Sequence, residues 1–252
     1  YYYGKRIEQN YSEAFKWFKK SAEQGHVDAQ DYLGLCYELG KGVERNGSEA
    51  FKWYRKAAEQ GNDSAQCNLG DCYKNGIGVS VDLREAAKWY RKSADQNFAR
   101  AKNSLGLCYE FGKGVDKNLS EAVKWYRSSA EQGNMYAQCN LGCCYENGIG
   151  ILVDYSEAIK WYRKSVEQNY SRAQVCLGHC YYQGRGVAKD FAESVKWYRK
   201  AADQGNQYGQ YNMGWAYEHG QGVDKNLAEA KKWYQLAADQ GHEGAKKQLA
   251  KI

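Results

Sequence analysis

The sequence has no proline at all, although average usage of about 5% predicts roughly a dozen in a chain of this size. Nor is there an apolar run near 18 residues, so no segment reads as a membrane-spanning helix and membrane insertion is not expected. The opening residues, YYYGKRIEQN, lack an apolar core and do not read as a secretory signal. Phenylalanine is scarce, with 6 copies against 23 tyrosines and 8 tryptophans. The formal charge of +6 permits an acidic partner but does not require nucleic acid. Nine cysteines make an odd number without the spaced pairs of a disulfide framework, which points to a reducing, cytoplasmic setting. Only four histidines occur (His26, His179, His219 and His242), and none has a nucleophile or carboxylate at a diagnostic spacing. The chain therefore reads as non-enzymatic, with no cofactor.

What fills the chain is repetition. Trp17, Trp53, Trp89, Trp125, Trp161, Trp197 and Trp233 are each separated by 36 residues. Leu33, Leu69, Leu105, Leu141, Leu177 and Leu249 keep the same period, with Met213 filling the gap, and glycine and tyrosine series follow from Gly34 and Tyr37. No insertion interrupts it. A sustained period of this length marks a solenoid in place of a globule.

Each unit contains two helical patterns. In the first, helix A, Ala29, Leu33, Cys36 and Tyr37 form a stripe of 3.6 period that ends at Gly40. In the second, helix B, Ala50, Trp53, Tyr54 and Ala57 form the buried stripe, with Ser48 (Ser12, Ser120 and Ser156 elsewhere) as the candidate N-cap ahead of a glutamate. Gly25, Gly61, Gly133, Gly205 and Gly241 fit a left-handed position after helix B. Asn97 and Asn169 stand there in two copies, as expected of the residue that next best tolerates this conformation. A tryptophan buries about 150–250 Å², more than one helix pair can cover, so sameness between copies marks the stacking face. About thirteen helices are expected.

The phrase LGxxYxxGxGV followed by EAxKWYRKAAxQGN resembles the Sel1-like repeat family, a relative of the tetratricopeptide repeat. Ala65, Leu69, Gly70, Tyr73, Gly76, Gly78, Ala86, Trp89, Tyr90 and Ala94 carry the pattern in one copy, and the resemblance covers essentially all 252 residues. It implies a single all-α, right-handed superhelix of about 6.5 to 7 repeats whose A helices line a concave groove, and an adaptor or scaffold role of the kind relatives play in signalling. A regulatory or targeting segment of a larger protein is the alternative reading, and RNA binding ranks behind both. Tyr1, Gly4 and Ile7 are in register with Tyr37, Gly40 and Val43, so the chain opens mid-repeat, and EGAKKQLAKI reads as a capping A helix. Cysteine-rich relatives place two cysteines per repeat in disulfides, a pattern absent here.

Difference between copies marks what the array touches. On helix A the positions equivalent to 28, 31, 32, 35, 38 and 39 fall on one arc, at about 180–300° from Ala29, and these are the positions that vary. The groove candidates are Asn68, Tyr136, Asn140, Arg172, His179, Tyr182, Tyr208, Tyr211, Asn212 and Trp215. Tyr208, Tyr211 and Trp215 share one helical face and resemble an aromatic interface hot spot. Asn68, Asn140 and Asn212 could pair with the backbone of an extended peptide. The expected partner is a protein or peptide. The arc carries acidic residues as often as basic ones, which speaks against nucleic acid. Cys36, Cys72, Cys108, Cys144 and Cys180 recur on the buried side and read as core. Cys139, Cys143 and His179 form a soft-metal candidate lacking a fourth ligand. The KWYRK basics read as a solvated face paired with glutamates.

Overall fold

The computed structural model describes residues 10–252, so the register of Tyr1, Gly4 and Ile7 lies outside the described residues. Among the described residues there are fourteen helices and no strand, one helix more than the repeat count suggested. The chain divides into two compact units, the first ending at Ser129 and the second beginning at Ala130. The first contains α1 (Tyr11–Glu23), α2 (Val27–Leu39), α3 (Gly47–Glu59), α4 (Asp63–Asn75), α5 (Leu83–Asp95) and α6 (Ala99–Phe111). Next comes α7 (Leu119–Glu131). The second holds α8 (Met135–Asn147), α9 (Tyr155–Glu167), α10 (Ser171–Gln183), α11 (Phe191–Asp203), α12 (Gln207–His219), α13 (Leu227–Asp239) and α14 (Glu243–Leu249). Even-numbered helices are the A pattern and odd-numbered ones the B pattern.

The helix starts differ from the serine reading. Asn10, Asn46, Asp82, Asp154, Asp190 and Asn226 are the N-caps of the B helices, each accepting from the backbone N–H of the glutamate three residues on. Ser12, Ser48 and Ser156 sit inside the first turn instead. The Asn or Asp carbonyl oxygen reaches the third amide from an extended backbone, which a residue already in helical conformation cannot do. The stops follow expectation: Asn97 and Asn169 have φ of 73° and 62°, the left-handed conformation that glycine adopts in the other copies.

Packing within each repeat is set by a tyrosine lying on a glycine. Tyr54, Tyr90, Tyr126, Tyr162 and Tyr234 are fully buried, and a Cβ at Gly34, Gly70, Gly106, Gly142 or Gly214 would lie 2.6 Å from the facing ring. The tyrosine hydroxyls donate to carboxylates at the end of helix A: Tyr54 to Glu38 at 2.6 Å, Tyr162 to Glu146 at 2.7 Å and Tyr234 to Glu218 at 2.6 Å. Leu33, Leu69, Leu105, Leu141, Leu177 and Met213 are fully buried beneath them, and Leu249 is half-buried. Trp53 and Trp161 are buried, while Trp17 is 56% exposed. Lysine ammoniums lie over Trp53, Trp89, Trp161 and Trp197 at 3.9–4.2 Å, so part of each basic stripe covers indole faces. The rest pairs as expected, Lys52 with Glu49 and Arg55 with Glu59.

A buried amide relay joins successive pairs. Gln60 donates to Gln30 Oε1 at 2.7 Å, and Gln30 Nε2 donates to the carbonyl of Ala22 at the end of the preceding B helix. Gln96–Gln66, Gln168–Gln138, Gln204–Gln174 and Gln240–Gln210 repeat the amide contact at 2.7–2.9 Å. These glutamines satisfy buried carbonyls that an apolar residue would leave unpaired.

Candidate functional site

The variable arc of helix A is divided by the structure. Positions equivalent to 31 and 32 are split: Asp31, Cys67, Asn68, Asn103, Cys139 and Asn140 are buried, whereas Tyr32, Ser104, Val175, Cys176, Tyr211 and Asn212 are half-buried. Positions equivalent to 35 and 38 are partly open, and position 39 is exposed at Leu39 and Phe111. An arc drawn about one helix takes no account of the neighbouring A helices, which cover parts of it at positions 31 and 32.

The asparagines expected to hold a peptide backbone are therefore engaged between repeats. Asn68 Nδ2 donates to Asp31 Oδ1 at 2.8 Å, and Arg100 donates to Asn68 Oδ1 at 2.8 Å. Arg172 donates to Asn140 Oδ1 at 3.1 Å. Asn212 Nδ2 lies 3.0 Å from His179 Nε2. Burial holds His179 below its ordinary pKa, and a neutral ring lets Nε2 accept that hydrogen bond.

Asp31 shows the cost of such burial. Its carboxyl is raised above the usual range by desolvation, against the opposing hydrogen bond from Asn68. An unfolded aspartate titrates near 3.9. Because the folded pKa lies higher, the contribution of Asp31 to stability is present below the unfolded value and lost as pH rises through the folded one. Asp31→Asn keeps the acceptor for Asn68 and removes the charge. It is expected to raise the melting temperature at pH 7, with the difference shrinking as pH approaches 4. Equal melting shifts at both pH values would show that the charge is not the cause.

The groove candidates of α10 and α12 do converge. His179, Tyr182, Tyr211, Asn212 and Trp215 line one cavity of about 270 Å³ together with Phe191, Ser194, Val195, Tyr198 and Gln221. Its origin is a substitution. Tyr182 occupies the position where Glu38, Glu110, Glu146 and Glu218 accept from the buried tyrosine of their own repeat. In place of that hydrogen bond, the Tyr182 ring packs on Phe191 and the His179 ring meets Tyr198 edge-on. One buried polar atom of the lining, Gln221 Oε1, has no hydrogen-bond partner, while the Ser194 hydroxyl is directed at Tyr198. Trp215 stacks on His219 with centroids 3.9 Å apart, and Tyr211 stacks on His242 at 4.5 Å.

The remaining candidates lie apart from the cavity. Tyr208 is 57% exposed and meets His242 edge-on; Tyr136 is 45% exposed and meets Tyr170 the same way. Sequence reasoning missed Ser194, Tyr198 and Gln221. Ser194 was visible as the serine standing where other B helices carry alanine (Ala50, Ala86, Ala158, Ala230).

The soft-metal trio changes membership. Cys139, Cys143 and Cys176 bring their sulfurs within 4.8 Å of one another, while His179 is turned to Asn212 and Tyr198. Position 32 of one repeat reaches back to position 31 of the repeat before it, as Asn68 does to Asp31, and that geometry delivers Cys176 in place of His179. Cys143 is drawn well below the usual thiol range, first by the hydrogen bond from Cys139 and then by that from Cys176, with Tyr162 and Arg172 adding to it. The nine cysteines are free, and the recurring five are buried as core.

The Sel1 repeat model matches residues 1–26, 27–62, 63–98, 99–134, 136–170, 171–206 and 207–242. The chain is similar to a Sel1 repeat protein from Oxalobacter formigenes, at 36% identity and a TM-score of 0.84 over 90% of this chain and 91% of that one. It is similar also to a protective antigen of uropathogenic Escherichia coli that displays an SLR fold, at 40% identity and a TM-score of 0.77. That match takes in 98% of this chain but spans only 53% of the antigen's. An immunity protein from Pseudomonas aeruginosa shares the fold alone, at 19% identity over 86% of this chain and 83% of that one, with a TM-score of 0.56. No curated protein matches the chain.

Proposed function

The chain belongs to the Sel1 repeat family, and we propose that it is a non-enzymatic adaptor that holds a peptide or protein segment along its A helices. Helix-pair solenoids of this family generally mediate protein–protein interaction, and the fold is a non-catalytic scaffold. The finer reading rests on the cavity between α10, α11 and α12. It is the size of a buried side chain, walled by Tyr182, Tyr211 and Trp215, with Gln221 Oε1 unpartnered inside it. Aromatic walls with a few convergent polar groups are the usual make-up of a binding site. An apolar or aromatic side chain entering it, with a donor directed at Gln221, would satisfy both features. Tyr208, exposed on the same helix, extends the contact surface. The nine free thiols support a reducing, cytoplasmic setting for this role.

The test is selection of displayed peptides on the whole chain, followed by titration calorimetry. Tyr211→Ala combined with Trp215→Ala is expected to weaken the selected peptide by at least about tenfold, or about 1.4 kcal/mol. Gln221→Leu is expected to weaken it less. Affinity is expected to respond weakly to salt, in contrast to the steep loss of a phosphate-binding surface. An unchanged affinity in the double variant, with the helical circular dichroism intact, removes this site.

A further inference from the structure

The same three-residue junction forms between successive A helices: positions 31 and 35 of one repeat and position 32 of the next. It is filled by Asp31, Leu35 and Asn68 at one point, and by Val175, His179 and Asn212 at another. Hydrogen bonds close these two, Asn68 to Asp31 and Asn212 to His179. Between α8 and α10 all three positions are cysteine: Cys139, Cys143 and Cys176. Cys139 and Cys143 stand one turn apart on α8, and Cys176 faces them from α10.

A neighbouring comparison shows what charge this junction is built to hold. Two repeats earlier, Asp71 occupies the position of Cys143; it accepts from the Tyr90 hydroxyl at 2.6 Å and is paired with Arg100. In the later repeat the equivalent groups are kept around a sulfur. The Tyr162 hydroxyl lies 3.4 Å from Cys143 Sγ, and Arg172 Nη2 lies 4.0 Å from it. Arg100 pairs with a carboxylate in one repeat and Arg172 stands beside sulfur in the other, while the Tyr162 hydroxyl gives its proton to Glu146, so the guanidinium is the group that suits a thiolate.

We propose that Cys139, Cys143 and Cys176 form a trithiolate site for Cu(I). Thiolates select soft ions, and Cu(I) is among those they favour. Structural zinc is almost always bound by four ligands, and among the described residues the cluster offers three. A planar three-sulfur site with metal–sulfur bonds of about 2.3 Å needs sulfurs about 4 Å apart, a small contraction from the present 4.8 Å limit. Three thiolates and one Cu(I) carry a charge of −2, part of which the Arg172 guanidinium offsets; the thiol protons leave to solvent as the metal enters. Cys139 is fully buried while Cys143 and Cys176 are half-buried, which leaves the site an opening.

The experiment is anaerobic titration of the reduced whole chain with Cu(I), in competition with the chelator bicinchoninate. One tightly held equivalent is expected, with sulfur-to-copper charge transfer in the ultraviolet and three sulfur neighbours by X-ray absorption. Cys176→Asn restores the residue present at Asn140 and Asn212, and Cys143→Asp restores that present at Asp71, so both variants are expected to fold. Each is expected to lose at least about 100-fold in Cu(I) affinity, while Cys180→Ser keeps the wild-type value. Retention of affinity in both restoring variants overturns the proposal. So does displacement of Cu(I) by an equal concentration of Zn(II), or a reduced chain that binds no Cu(I).

Discussion

Gly78→Ala is expected to lower the unfolding free energy by about 2–5 kcal/mol, the sum of two costs that fall on the same atom. The residue has φ of 69°, a conformation that costs a side-chain-bearing residue about 1–2 kcal/mol. The added Cβ would also stand 2.1 Å from the carbonyl oxygen of Gly47 at the start of α3. That atom is backbone in a capped first turn, so it cannot rotate away, and overpacking of this kind costs about 1–3 kcal/mol or more. Gly61 separates the two costs. Its φ is 93°, yet a Cβ there meets nothing within 4 Å. Gly61→Ala is therefore expected to cost only about 1–2 kcal/mol, and Gly61→Asn less, because Asn97 and Asn169 already hold that conformation. Urea denaturation of the three variants decides it. Similar losses for Gly78→Ala and Gly61→Ala would mean that the loop yields, and that the packing of α3 against the following loop is not rigid.

Trp161→Ala is the second large effect, expected at about 3–5 kcal/mol. The indole is only 7% exposed and Lys164 lies over it at 4.2 Å, so truncation removes both the buried ring and the seat of the cation. Trp161→Phe is expected to cost less than about 1.5 kcal/mol. The reason lies in the indole nitrogen. Trp161 Nε1 is buried without a partner, whereas the equivalent Trp53 Nε1 donates to Glu49 at 3.1 Å. Phenylalanine keeps most of the apolar contact and removes an unpaired donor. Trp53→Phe is expected to cost more than Trp161→Phe, because it deletes a made hydrogen bond. If Trp161→Ala melted like the parent chain, the tryptophan series would not be what joins the repeats.

Much of the fold was legible because it is local. The spacing of Leu33, Trp53 and Tyr54 identified the buried stripes, and the replacement of glycine by Asn97 and Asn169 identified the helix stops. The starts were misread by two residues because Ser48 and Asn46 are both good caps, and only the extended backbone at Asn46 chooses between them. Gln30 and Gln60 repeat as regularly as the tryptophans, yet their spacing says nothing about a relay until the two amides are seen 2.7 Å apart.

The candidate site was legible as a set of residues and not as a cavity. Tyr211 and Trp215 were recognisable on one helical face, but the space beside them depends on Tyr182 replacing a glutamate that elsewhere ties down a buried tyrosine. Asn68 and Asn140 read as open positions in the sequence, since an arc drawn about one helix has no term for the helix packed beside it. His179 and Cys176 exchanged places in the metal reading for the same cause: the junction links position 32 to the preceding position 31.

By itself the amino-acid order determined the 36-residue unit, its two helices, their stops and the class of protein it builds. Those features follow from periods of 3.6 residues and from backbone angles at single positions, which a chain carries whatever surrounds it. Tertiary structure alone decided which variable residues stay open, which close on the next helix, and which three cysteines meet. These outcomes depend on the offset between neighbouring helices, a distance that no spacing along the chain encodes.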